Sequence, residues 1–122
     1  MDEAIQEVLS KFSPEVQKLS LALRDKVLSL APGLAEKPYT GWQNIVYNVE
    51  GNPRNIVLAI NPLRSYVNLN FGNARELDDP GNLLSGTGKS ILHATIRTLE
   101  DVENPRLADL ISQAARMAQI KK

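Results

Sequence analysis

The chain contains no cysteine. That excludes disulfides, thiolate nucleophiles and zinc held by thiolates. It has a single histidine, His93, so nucleophilic chemistry would need a serine or threonine paired with that one imidazole. It has no net charge either: 14 Lys and Arg residues balance 14 Asp and Glu residues. No global field draws in nucleic acid or an anionic membrane. No apolar run approaches a membrane span. The acidic start, Met1 to Glu7, lacks the apolar core of a signal peptide. These absences point to a soluble cytoplasmic protein with neither nucleic acid nor membrane as partner.

What is present describes an ordinary globular chain. Its 122 residues are 43% hydrophobic and 23% charged, which suits one domain over residues 1–122 with one real core. No internal repeat or low-complexity tract interrupts it.

Helices are expected at both ends. Ile5, Val8, Leu9 and Phe12 follow the i, i+3, i+4, i+7 pattern over residues 2–12. Ser13 reads as an N-cap with Pro14 at the first helical position, opening a second helix that runs to about Ala31 and stops at Pro32-Gly33. Near the other end, Thr98 to Asp101 resembles a capping box. Asn104-Pro105 opens a last helix with the stripe Leu107, Leu110, Ile111, Ala114, Met117 and Ala118. Lys121 and Lys122 suit its C-terminal dipole.

Between the helices the period changes to two. Residues 33–41 read as a connection. Trp42 to Val49, Asn55 to Asn61 and Ser65 to Phe71 alternate as strands, with turns at residues 50–54 and 61–64. Gly72 to Leu84 reads as a longer excursion with a short helix around Ala74 to Leu77. A fourth strand follows at about Ile91 to Arg97. The expected fold class is α+β: a four-stranded, mainly antiparallel sheet with the N- and C-terminal helices packed on one face. Ile45, Tyr47, Val49, Ile56, Leu58 and Ile60 belong to the covered face. Trp42, Asn44, Asn48, Val57, Ala59, Tyr66, Asn68 and Asn70 belong to the open one, with Lys89, His93, Thr95 and Arg97.

The stretch with the most chemistry is Leu83 to Thr98. Gly86-Thr87-Gly88 can let consecutive N–H groups point into one concavity, an anion-holding nest. A tight turn leading into a strand is the simpler account. Gly88-Lys89-Ser90 imitates the end of a P-loop. The full pattern needs a glycine five residues before Gly88, where Leu83 stands, and a helix after the lysine, where a strand pattern follows. Nucleotide-triphosphate hydrolysis is rejected on both counts.

These residues also carry a resemblance. Leu30-Ala31-Pro32, Tyr39-Thr40-Gly41-Trp42, Leu84-Ser85-Gly86-Thr87-Gly88-Lys89, His93-Ala94-Thr95-Ile96-Arg97, Leu99-Glu100-Asp101 and Pro105-Arg106-Leu107 resemble the YdhG-like family. That family comprises small bacterial domains of unknown function with a helix-flanked antiparallel sheet. The resemblance implies such a fold. One branch, described as a frataxin-like intracellular iron chaperone, adds iron as an implied cargo. Gln43-Asn44 stand where a proline commonly follows the aromatic-glycine pair.

Four functional readings follow. The first is a non-enzymatic binding module whose open sheet face holds a small polar or anionic molecule. Its site would comprise Trp42, Tyr66, Gly86, Thr87, Gly88, Lys89, His93 and Arg97. The wet side of an antiparallel sheet accounts for the same residues without a ligand. The second is iron handling through Glu76, Asp78 and Asp79, with Glu100, Asp101 and Glu103 as a further group; turn and helix-end chemistry explains both groups as well. The third is an enzyme. Ser85, Thr87 and Ser90 lie near His93, yet no nucleophile-elbow pattern surrounds them and no catalytic residue is assigned. The fourth is self-association through the same face, making the protein a homodimer rather than a monomer.

Overall fold

The computed structural model describes residues 3–50 and 52–120. Met1, Asp2, Gly51, Lys121 and Lys122, and with them the start of the expected first helix and the C-terminal dipole expectation, lie outside the described residues. The first helix, α1, spans Glu3–Leu9 and buries Ile5, Val8 and Leu9. It stops short of the expected residue 12. The second, α2, spans Pro14–Leu30 and opens as its sequence dictates. Ser13 Oγ accepts a hydrogen bond from the Val16 N–H at 3.2 Å, and Pro14 occupies the first turn, where a missing N–H leaves nothing unsatisfied. Ser20 is fully buried on this helix, and its hydroxyl donates to the Val16 carbonyl at 2.8 Å.

The sheet has five strands, not four. They are β1 (Leu34–Tyr39), β2 (Asn44–Val49), β3 (Asn52–Pro62), β4 (Val67–Phe71) and β5 (Leu92–Ile96). They lie side by side in chain order and every neighbouring pair is antiparallel. The added strand, β1, occupies the stretch expected as a connection. It hides from periodicity because Glu36 and Pro38 sit where apolar residues would mark a buried strand. Pro38 is tolerated because β1 is an edge and needs no second row of ladder bonds.

A 3-10 turn at Ala74–Glu76 precedes β5, and two helices follow it: α3 (Leu99–Val102) and α4 (Pro105–Ile120). The capping box on α3 is complete. The Asp101 N–H donates to Thr98 Oγ1 at 3.2 Å, and the Thr98 N–H donates to Asp101 Oδ2 at 3.1 Å. Asn104 Oδ1 accepts from the Arg106 N–H at 3.0 Å at the start of α4.

Helices cover one face of the sheet. Leu23 and Val27 of α2 and Leu107, Leu110 and Ile111 of α4 join Ile45, Tyr47, Leu58, Ile60, Leu69 and Phe71 in one core. Each fully buried side chain of this kind contributes about 1.5–3 kcal/mol. One detail reverses a sequence assignment. The β2–β3 register shifts between Tyr47 and Asn48, so Tyr47 faces Leu58 while Asn48 faces Ile56. The extra residue, Val57, turns into the core at 5% exposure, and Ile56 emerges on the open face at 40%. A bulge exchanges faces in this way, and plain alternation misses it.

Candidate functional site

The open face of the sheet carries a cleft of about 170 Å³. Its lining comes from Asn44 and Val46 of β2, Ile56, Ala59 and Asn61 of β3 and Asn70 of β4, with Trp42 at one end and Ile91 and Gly72 at the other. Val46 and Ala59 lie in it almost wholly buried, which makes a small apolar floor. Trp42 is the most exposed large apolar side chain described, at 70%, and its ring lies 4.9 Å from that of Tyr39 at an interplanar angle of 44°. Ile91, 54% exposed, and Ile56 complete the apolar rim. No charged residue lines the cleft.

Its polar groups are amides: Asn44, Asn61 and Asn70. Asn44 Nδ2 donates to Asn61 Oδ1 at 3.1 Å, and Asn61 Nδ2 donates to the Ala59 carbonyl at 3.4 Å. This ladder is incomplete. Asn44 Oδ1 is buried and has no partner. Asn48, next on the same face, is 1% exposed and leaves Nδ2 unpaired. The Asn70 side chain is half-buried and makes no hydrogen bond among the described residues. A buried polar atom left unpaired costs about 1–3 kcal/mol, so two on one face need a reason.

The expected ligand set is dispersed rather than gathered. Trp42 is on the rim of the cleft. Arg97 and Tyr66 pair with each other, the guanidinium lying 4.8 Å from the ring centroid, and neither lines the cleft. Gly86, Thr87, Gly88 and Lys89 lie outside β5, tied to it where Ser85 and His93 exchange backbone hydrogen bonds at 2.8 and 2.9 Å. His93 is half-buried in β5 opposite Asn70, and its Nδ1 would lie 3.5 Å from a Cβ built on Gly86.

The glycine turn has one positive φ rather than two. Gly86 has a positive φ of 122°, but Gly88 does not. Gly88 is needed because a Cβ there would collide with the Ile91 carbonyl oxygen. Arg75 clamps the turn, with Nη2 donating to the Gly88 carbonyl at 2.8 Å and Nε to the Lys89 carbonyl at 3.1 Å. Two carbonyl oxygens of the turn are thus taken up by the Arg75 guanidinium.

Of the carboxylates expected to hold iron, that of Asp79 has a structural use. Asp79 accepts from the Leu83 and Leu84 N–H groups with one oxygen each, both at 2.9 Å. The Asp78 backbone is held on both sides by Gln113. Among the described residues, no group of three or more His, Asp or Glu side chains is arranged to hold a metal ion, so Glu76, Asp78 and Asp79 form no such group.

Sequence reading missed a second polar cluster entirely, on the covered face. Arg24 of α2 makes a bidentate pair with Glu36 of β1, with both N–O distances 2.8 Å. The Tyr47 hydroxyl donates to Glu36 Oε2 at 2.6 Å. Burial, and then the bond to Glu36, raises the Tyr47 phenol well above its ordinary range. The hydrogen bond to Glu36 likewise raises the Arg24 guanidinium. This cluster fastens the edge strand to the helix layer. The only sequence signal for it was a carboxylate at an alternate position of an unrecognised strand.

No protein-family model, no curated protein and no solved structure matches the chain. Among the described residues no helix is long and apolar enough to cross a membrane.

Proposed function

We propose that the protein is a non-enzymatic binding module, and that the Trp42–Asn70 cleft on the open sheet face takes a small neutral ligand with an apolar body and a polar edge. The observation that carries this reading is the set of unused amide groups beside an exposed tryptophan in a cleft with no charge. Binding sites are mostly apolar, with a few placed polar groups that fix orientation. The dispersal of Lys89, His93 and Arg97 moves the expected ligand from anionic to neutral. The resemblance to the YdhG-like family agrees with a helix-flanked antiparallel sheet and supplies no site of its own.

Thermal-shift screening of neutral heterocycles, saccharides, small amides, phosphate and ferrous iron tests this reading. A ligand at one hundred times its dissociation constant adds about 2.7 kcal/mol of stability. The expected response comes from a neutral compound and disappears in Trp42→Ala. A response to phosphate lost in Arg97→Ala, or to iron lost on neutralising Asp78 and Asp79, would replace this reading with the anion or chaperone one.

Self-association is the second reading. It is favoured by the clustering of Trp42, Ile56 and Ile91, at 70%, 40% and 54% exposure, around one cleft. Sizing chromatography across a dilution series distinguishes it, with Trp42→Ala shifting a dimer toward monomer.

A further inference from the structure

We infer that the cleft takes a planar, neutral heteroaromatic ring of the nucleobase type, presented as a free base or nucleoside rather than as a nucleotide. This deepens the binding-module reading and rests on it. Three features of the cleft select the class.

The first is shape. About 170 Å³ is the space of roughly six water molecules at ~30 Å³ each, enough for a ring and too little for a long chain. The floor of Val46 and Ala59 is small and apolar, which suits a flat π face. Trp42 supplies a stacking surface at the rim, and stacking on an aromatic ring is the common way proteins hold a base.

The second is the polar edge. A side-chain amide offers a donor and an acceptor side by side, and this matches the paired donor and acceptor on a base edge, as in bidentate asparagine–adenine pairing. Asn70 lines the cleft with both functions unused by the described residues. Two strands away across the same cleft, Asn44 keeps an unpaired acceptor, Oδ1. That atom is closed to solvent, so a ligand N–H reaches it only when the rim shifts. Trp42 is the rim residue with the least packing, so its ring is the part expected to move.

The third is charge complementarity. No charged group lines the cleft: Arg97 stacks on Tyr66, Lys89 precedes β5, and His93, opposite Asn70, is outside the lining. With no lysine or arginine in the lining to compensate the desolvation of a phosphate, a nucleotide is disfavoured against its nucleoside. A saccharide fits less well because most of the lining is apolar and a sugar carries hydroxyls around its whole perimeter.

The test is a two-dimensional NMR titration of the whole chain with adenosine, cytidine, uridine and guanosine, and with AMP, inorganic phosphate and glucose as comparators. Trp42 is the only tryptophan, so the single indole N–H signal reports on the rim without ambiguity. Expected is a saturable shift of that signal and of the Asn70 and Asn44 side-chain amide signals with at least one nucleoside. Asn70→Ala should weaken that binding by roughly tenfold or more, and Trp42→Ala should weaken it similarly. AMP should bind more weakly than adenosine, and phosphate should shift nothing. Shifts with glucose but with no nucleoside would overturn the ligand class and leave the cleft as a binding site. No shift with any compound of the wider neutral panel would overturn both. An indole shift on simple dilution without ligand would assign the face to a second copy of the chain.

Discussion

On the helix-covered face, Arg24, Glu36 and Tyr47 close on one another with every short contact used. On the open face, Asn44, Asn48 and Asn70 each keep hydrogen-bonding capacity idle. The two clusters lie on opposite sides of one sheet. Glu36 and Tyr47 face each other across β1 and β2, and Asn48 follows Tyr47 directly in sequence. A closed polar cluster stabilises, because removing any member strands the others. An open one costs stability, and what it retains is the capacity to bind. The covered face should therefore answer to substitution in stability and the open face in ligand response.

Substitutions can sharpen or break that contrast. The largest effect is expected at Phe71, fully buried on the covered side of β4: Phe71→Ala should lower unfolding stability by about 3–5 kcal/mol in urea titration. Its neighbour on the other side, Asn70→Ala, should change stability by no more than about 0.5 kcal/mol. Next comes Glu36→Ala, which strands a mostly buried guanidinium and a phenol. A loss of about 3 kcal/mol is expected by the same titration. A loss below about 1 kcal/mol would show that the cluster does not fasten β1.

A smaller effect of opposite sign is expected at Asn48. Replacing its unpaired amide by a similar apolar side chain, Asn48→Leu, should raise stability by about 1 kcal/mol, since an unsatisfied buried group is removed. The smallest is a pH effect at Tyr47. Its phenol is raised in the folded protein, so the folded state holds a proton that the unfolded chain releases near pH 10. The stability it contributes is fully present below about pH 10 and is lost as pH rises beyond that. Tyr47→Phe should flatten that part of the stability–pH curve relative to the parent.

Much of this architecture could be read from residue types, and the failures have identifiable causes. Ser13-Pro14, Thr98 with Asp101, and Asn104-Pro105 are local signals, and the helices begin where they say. β4 and β5 show clean alternation, and β2 does so except at Val46. β1 does not, because its covered-face position 36 is a carboxylate whose partners, Arg24 and Tyr47, lie far away in sequence. The exchange of Ile56 and Val57 depends on a bulge opposite Asn48, a tertiary feature with no local mark. Of the cleft, Trp42, Asn44, Ala59 and Asn70 were legible as open-face residues. Asn61 read as the end of a strand, because Asn61-Pro62 reads as a turn, whereas β3 runs through Pro62. The cationic residues are dispersed for a related reason: alternation put Lys89, His93 and Arg97 on one face but could not reveal that Arg97 stacks on Tyr66 or that Arg75 holds the glycine turn.

The most direct single measurement is on Asn70→Ala, following urea unfolding and the ligand-induced Trp42 indole shift on the same samples. The expected result is stability unchanged within about 0.5 kcal/mol and a ligand response lost or strongly weakened. A loss of more than about 1 kcal/mol with the ligand response intact would contradict the division between a stabilising face and a binding face.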